Sequence, residues 1–200
     1  AITEKLHVLP GLRYNYDKKA ADYDRKTYGG LQTTDPALLA LKRLVYTDQS
    51  FTSSTDDTDF SGNLTVNYKV SDKINAYATY AKSYKPVGVN VAGLPTIAGQ
   101  PALDLAVIKP ESVNHYEFGI KSSPIKNSVL NLTFFNTEIK DFQTNVQAAE
   151  LGVNRGYLAN ADKVRVKGIE LDASFLLNKH FSFNAAGTYS DGKYVTFTNA

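Results

Sequence analysis

Residues 164–194 alternate between apolar and polar side chains with a period of two, twice in succession. In the first run Ile169, Leu171, Ala173 and Phe175 are apolar, and Gly168, Glu170, Asp172 and Ser174 between them are small or polar. After a polar break at Asn178-Lys179-His180 the pattern restarts. Phe181, Phe183, Ala185, Gly187 and Tyr189 fall on one side, and Ser182, Asn184, Ala186, Thr188 and Ser190 on the other. Successive side chains of a strand point to opposite faces, so this stretch predicts two strands with one apolar face each. A break this short predicts an antiparallel hairpin. Glu170 and Asp172 keep the second face out of any dry core, because an unpaired buried charge is too costly. The fold must therefore give the chain an apolar surrounding on one side and a wet one on the other.

The same asymmetry recurs upstream. Lys5 to Asp17 predicts a strand with Leu6, Val8, Leu12, Tyr14 and Tyr16 on one face, although Pro10 has no N–H to give to a ladder. Thr58 to Val70 alternates cleanly, with Phe60, Leu64, Val66 and Tyr68 against Ser61, Asn63, Thr65 and Asn67. Ile74 to Lys85 is a further strand whose facing is ambiguous, since Tyr77 and Tyr80 fall on opposite sides. Val113 to Ser122 sets Tyr116, Phe118 and Ile120 against His115, Glu117 and Lys121, and Ser128 to Lys140 is led by Leu130, Leu132 and Phe134.

Long connections at Lys18 to Asp57, Pro86 to Ser112 and Asp141 to Asp162 alternate with short turns at Ser71-Asp72-Lys73, Ser123 to Asn127 and Asn178 to His180. In the first long connection Asp35-Pro36 is a helix start, Asp as N-cap and Pro in the first turn, with Leu38, Leu39, Leu41 and Leu44 as its apolar side. Seven strands in an all-β, antiparallel up-and-down meander would put every long loop at one end and every short turn at the other. That is the pattern of an outer-membrane β-barrel. Tyr14, Tyr16, Phe60, Tyr84, Tyr116, Tyr189 and Tyr194 are expected near the long-loop end, and Tyr68, Phe175 and Phe181 near the turn end, as two aromatic girdles. The long loops are expected on the cell exterior.

Composition narrows the alternatives. A net charge of +2 gives no case for nucleic-acid binding, and without Cys there is neither a disulfide framework nor thiolate chemistry. No apolar run approaches the ~18 residues of a membrane-spanning helix. A chain that starts at Ala1 and contains no Met is expected to be a processed product or a fragment.

Tyr77-Ala78-Thr79-Tyr80-Ala81-Lys82-Ser83-Tyr84-Lys85-Pro86, followed by Gly88 and Asn90, resembles a signature of the TonB-dependent outer-membrane receptors of the siderophore-receptor type, with Val87 where a Gly is usual in that family. Lys109-Pro110-Glu111-Ser112-Val113 with Tyr116-Glu117-Phe118-Gly119-Ile120-Lys121, Lys167-Gly168-Ile169-Glu170-Leu171, and Gly11-Leu12-Arg13-Tyr14 are similar to three more of its segments, in the same order. The resemblance implies a barrel of about 22 strands filled by a plug. It also implies import of a ferric siderophore or similar chelate, energised through the TonB complex, in the bacterial outer membrane. Residues 1–200 would be an internal segment of that barrel, without the plug domain and without the closing C-terminal strands.

The candidate site residues follow. Arg13, His115, Glu117, Lys121, Glu170 and Asp172 are expected to line the lumen and meet the plug. Lys85, Asn90, Arg155 and Tyr157 lie in or beside the long loops, where cations and aromatics hold an anionic chelate through charge-assisted bonds and stacking. No catalytic residue, resident metal or cofactor is expected. The Glu170/Asp172 pair reads as lumen wall rather than as a glycosidase pair. His115 and Glu117 lack the third and fourth ligands that zinc usually takes. Two other readings remain open at the level of sequence: a passive porin or adhesin-like barrel, and a soluble β-sandwich binding module, which fits three long connections poorly.

Overall fold

The computed structural model describes residues 2–29, 32–45, 48–97, 100–147 and 156–197, with the side chains of 42–45 left aside. Seven long strands form one antiparallel sheet in which each strand pairs with the next in sequence. They are β1 (Leu6–Arg25), β2 (Gln49–Ser71), β3 (Ile74–Lys85), β4 (Glu111–Ser122), β5 (Ser128–Gln147), β6 (Gly156–Leu176) and β7 (Ser182–Thr196). The predicted meander is present, with short turns at one end and long connections at the other.

Cross-strand register fixes the two faces. Val8, Val66, Ala78, Phe118, Phe134, Ile169 and Tyr189 form one continuous row of directly opposed partners across all seven strands. The next row toward the turns is Leu6, Tyr68, Ala76, Ile120, Leu132, Leu171 and Gly187. These rows settle β3, whose Ala76, Ala78 and Tyr80 are apolar-face residues and whose Tyr77 is on the polar face. Among the described residues nothing covers the apolar face: Leu64, Ile169 and Leu171 are 45%, 42% and 44% exposed.

Ring pairs border this face at both heights. Tyr14 lies 5.2 Å from Phe60 and Tyr80 5.2 Å from Tyr116 toward the long connections, while Phe175 and Phe183 approach to 6.5 Å near the turns. Two expected girdle members behave differently. Tyr194 stands opposite Val164, on the face away from Ile169, and stacks on Phe197 at 5.4 Å. The Tyr84 hydroxyl donates to Asp17 at 2.5 Å.

The short turns are held by side-chain chemistry visible in the sequence. Asn178 Oδ1 accepts from the backbone N–H groups of His180 and Phe181 at 2.9 and 3.1 Å, as an Asx turn does. Asn127, with φ of 55°, lets the β4–β5 connection reverse. At the β2–β3 turn Lys69 Nζ lies 2.6 Å from Asp72. That hydrogen bond, together with the charge, holds the Asp72 carboxyl below its ordinary value. The pair is exposed to water and shapes the turn rather than stabilising the sheet.

The strands run further than the alternation shows. The β1–β2 ladder continues from Asp17↔Asp57 to Arg25↔Gln49, so much of the expected connection Lys18 to Asp57 is a polar hairpin. The β5–β6 ladder likewise takes in residues expected to be loop, as far as Gly156↔Gln147. Beyond the apolar band both faces of a strand meet water, and the period-two signal disappears although the backbone pairing persists. The helix in the first connection is Pro36–Val45, and Asp35 Oδ1 caps it by accepting from Ala37 and Leu38 at 2.8 and 3.3 Å.

An arginine on the apolar face tests the assignment of faces. In the full-length receptor, Leu171→Arg should cost about 2–4 kcal/mol of stability if the residue sits near the mid-plane of the bilayer. Asp172→Arg, on the opposite face, should cost far less. Unfolding titrations in lipid bilayers measure the difference, and equal costs would reject it.

Candidate functional site

The polar face carries a connected set of side chains. On β4, His115 Nδ1 lies 2.8 Å from Thr137 Oγ1 and His115 Nε2 lies 3.2 Å from Glu117 Oε2. The other Glu117 oxygen accepts from the Tyr77 hydroxyl at 2.5 Å, and that hydroxyl also lies 3.1 Å from Thr133 Oγ1. Lys121 Nζ sits 5.2 Å from the centroid of the Tyr77 ring, a cation–π arrangement. Three of the six expected lumen residues, His115, Glu117 and Lys121, thus gather around one tyrosine whose facing was ambiguous in the sequence. Asp172 accepts from Asn131 Nδ2 at 3.3 Å. Glu170 stands between Thr133 and Thr188 in the ladder, and its side chain is exposed. Arg13 is remote from this set and lines a cleft of about 570 Å³ near the long-loop end, with Asp17, Ser61, Tyr84 and Pro86.

Two glycines shape the polar face. A Cβ at Gly119 would overlap the ring of Tyr77, its directly opposed partner, and a Cβ at Gly168 would overlap the ring of Phe135, its partner on β5. Each ring therefore lies flat over a cross-strand glycine. A large side chain then takes up little depth and leaves room for whatever occupies the space beyond. Both glycines fall in segments quoted above, but only the register shows which ring covers each.

The second feature is the connection between β3 and β4, expected as a long connection. It is folded. Gly88–Val89 pairs with Val107–Ile108, Thr96–Ile97 pairs with Gln100–Pro101, and Leu103–Leu105 is a turn of 3-10 helix. Most of the buried apolar residues among those described are here or against it: Val87, Leu94, Ala102, Ala106 and Ile108, with Phe51 of β2. The loop docks on both flanks of the sheet. On β2, Gln49 Nε2 donates to the Leu94 carbonyl at 2.7 Å and Gln49 Oε1 accepts from the Leu94 N–H at 2.8 Å. On β6, Asn90 does the same to Leu158, donating to its carbonyl at 2.8 Å and accepting from its N–H at 2.9 Å. Gln143 of β5 donates to the Pro86 and Lys109 carbonyls at 2.9 and 3.0 Å.

Of the residues expected to touch ligand, Asn90 is thus fully buried, and its carboxamide is committed to the Leu105 and Leu158 backbone. Lys85 pairs with Glu111 at 3.1 Å and remains about half exposed. Tyr157 is half-buried on β6. Arg155 lies outside the described residues. No group of three or more His, Cys, Asp or Glu placed to hold a metal ion occurs among the described residues.

A seven-stranded meander with one apolar and one wet face, and long loops at a single end, is a section of outer-membrane barrel wall. The chain belongs to the TonB-dependent receptor-like β-barrel family, whose family model matches residues 1–200. This is a family of receptors and transporters rather than enzymes, and its place is the bacterial outer membrane. The chain is 24% identical over 186 residues to the pesticin receptor of Yersinia enterocolitica, covering 93% of this chain and 24% of that protein. It is 25% identical over 153 residues to the ferrichrome outer membrane transporter/phage receptor of Escherichia coli K12, covering 74% and 18%. Among solved structures it resembles the ferric yersiniabactin uptake receptor FyuA of Yersinia pestis, with a TM-score of 0.69 at 23% identity, over 99% of this chain and 25% of that one. The siderophore receptor PiuA of Acinetobacter baumannii gives 0.67 at 20%, over 98% and 24%. The chain spans about a quarter of the length of the pesticin and yersiniabactin receptors.

Two substitutions probe these features in the full-length receptor. Asn90→Ala removes both bonds to Leu158 and leaves buried backbone groups unpaired, at about 1–3 kcal/mol. Amide exchange across residues 88–108 should accelerate while the strands stay protected. Gly119→Ala should destabilise by about 1–3 kcal/mol, because the Tyr77 ring must move off its bonds to Glu117 and Thr133. Gly187→Ala, where a Cβ meets nothing within 4 Å, is the matched control and should be near neutral in thermal unfolding.

Proposed function

We propose that this chain is an internal section of the barrel wall of an active importer of a ferric siderophore or similar iron chelate. In this reading the importer is energised through the TonB complex, has a barrel of about 22 strands, and is filled by a plug. The observation that carries the plugged reading is the state of the wet face. Arg13 and Glu170 make no ion pair or hydrogen bond, and Lys121 no ion pair, with the described residues of this chain. They point into the space that a plug would fill, and the flat-lying rings of Tyr77 and Phe135 clear that space. His115, Glu117 and Asp172 would offer further plug contacts. The printed names of the relatives, a ferrichrome transporter and a ferric yersiniabactin uptake receptor among them, support an iron chelate as cargo.

Lys85, Tyr157 and Arg155 remain the residues proposed to meet an anionic chelate. Asn90 would serve by fixing the loop beside Lys85 rather than by touching ligand.

Uptake of radiolabelled ferric hydroxamate and ferric catecholate chelates by cells carrying the full-length receptor tests the proposal. Accumulation of at least one chelate should depend on the receptor and collapse when the TonB complex is deleted. Glu170→Ala should loosen the plug and raise passive leak of small solutes, with loss of its partner's pairing costing about 1–3 kcal/mol. Uptake that is unchanged without the TonB complex would instead favour the passive porin.

A further inference from the structure

Among the described residues Glu111 is the one charged residue that is buried. It opens β4 directly opposite Lys85 of β3. It also shares the wet face of the wall with His115 and Glu117, which follow at even spacing along the strand. A single oxygen, Glu111 Oε1, accepts two bonds, from Lys85 Nζ at 3.1 Å and from the backbone N–H of Gln143 on β5 at 2.8 Å. Gln143 is itself buried, and its carboxamide holds the Pro86 and Lys109 carbonyls at the two stems of the β3–β4 connection. Asn160 of β6 completes the frame. Its carboxamide accepts from the Lys109 N–H at 3.0 Å and donates to the Lys109 carbonyl at 3.0 Å. The carboxylate is therefore fixed by groups that belong to the loop stems and to two further strands. The Lys85 side chain has no such frame, and 53% of it is exposed.

Stability does not account for this pair. Withdrawing a carboxylate from water carries a large penalty, and a half-exposed ammonium repays it poorly. A glutamine at position 111 would accept the same Gln143 N–H without that penalty. What the charge adds is a hold on Lys85. A lysine side chain is otherwise free to rotate, and ordering it when cargo binds costs affinity. Glu111 takes one of the three N–H donors of the ammonium and leaves two for an anionic partner.

We propose that Glu111 is a positioning residue: its buried carboxylate, clamped by Gln143, pre-orders the Lys85 ammonium for an anionic chelate. The proposal rests on the reading of Lys85 as a cargo contact given above. Glu111 acts only through Lys85.

The test is a double-mutant cycle in the full-length receptor, with Glu111→Gln, Lys85→Gln and the two combined. Dissociation constants are measured for two anionic probes, a ferric tris-catecholate and a ferric hydroxycarboxylate, and thermal unfolding is followed in parallel. Glu111→Gln should weaken binding of at least one probe about two- to tenfold, the cost of ordering one free lysine side chain, with little change in Tm. Lys85→Gln should weaken binding further and lower the Tm, because the buried carboxylate loses its cation. In the double variant the Tm should recover, and binding should equal that of Lys85→Gln alone. A purely structural Glu111 would weaken binding with or without Lys85, and that result overturns the proposal. So does faster amide exchange across residues 88–108 in Glu111→Gln, which would place the effect in the loop fold and keeps the test decisive if Lys85→Gln folds poorly. If Glu111→Gln binds as tightly as wild type or more tightly, while Lys85→Gln binds weakly, Lys85 meets cargo but Glu111 does not position it. Wild-type binding by Lys85→Gln, or no binding of either probe by the wild type, removes the cargo contact itself and the positioning with it.

Discussion

The structure depends on one constraint: a backbone facing lipid has no water to satisfy its N–H and C=O groups, so every such group must be paired within the protein. The seven-stranded ladder meets that requirement with unbroken nearest-neighbour pairing from β1 to β7. An up-and-down meander does so with the shortest connections, which is why the turn end needs only an Asx turn at Asn178 and a two-residue reversal at Asp72-Lys73. The same constraint leaves the outer edges of β1 and β7 as rows of groups awaiting partners, which further strands supply when a barrel closes. The sheet gains nothing from burying its apolar face against itself. That face stays exposed within the chain, and the soluble sandwich that would have covered it is replaced by a wall in lipid.

With lipid on one side, specificity is built on the other. Tyr77 and Phe135 lie over Gly119 and Gly168, so aromatic area covers the ladder without projecting far from it. The hydroxyl of Tyr77 then becomes the hub that ties Glu117 to Thr133, with His115 behind Glu117. Side chains held in this way present charge at defined positions. Glu170 and Arg13 have no ion pair or hydrogen bond among the described residues and keep their bonding capacity.

How much of this was legible follows from where each residue sits relative to the membrane. Within the band one face must be apolar, so Leu64, Val66, Ile169 and Leu171 could be placed by parity alone, and the turns by their Asn, Asp and Ser residues. Above the band the constraint lapses. Residues 18–25 and 49–57 pair just as regularly, yet their Lys, Asp, Ser and Thr side chains carry no period to read. The helix start at Asp35-Pro36 was legible because capping is local. Tyr77 was ambiguous because Tyr80, three residues on, belongs to a girdle on the other face, and only the register with Gly119 separates them. The folded loop was hidden for a different reason. Its buried residues Val87, Leu94, Ala102, Ala106 and Ile108 are sparse and aperiodic, and Phe51, which clusters with Leu94 and Ala106, lies in a stretch that read as polar connection. Asn90 was expected to touch ligand because it lies beside a long loop; its side chain is fully buried and bonded to the Leu105 and Leu158 backbone.

The brace accounts for the gathering at the long-loop end of most of the buried apolar residues among those described. The loop leaves the sheet at β3 and returns at β4, in the middle of the seven strands, and its anchors are on β2 and on β5 and β6. Two carboxamides, Gln49 and Asn90, each grip both the N–H and the C=O of a single residue across the gap, as a strand would. Gly93, with φ of 94°, lets the loop lie against Tyr23, Arg25 and Gln49, where any larger residue would be both strained and crowded. A loop held at both flanks ties together strands that are otherwise linked only through their neighbours. It also sets the Lys85–Glu111 pair and the neighbouring Tyr84–Asp17 bond at fixed positions beside the cleft. The geometry of the entrance therefore rests on backbone-directed amide contacts rather than on the apolar band. Substitutions at these amides should reshape the mouth while leaving the wall in place.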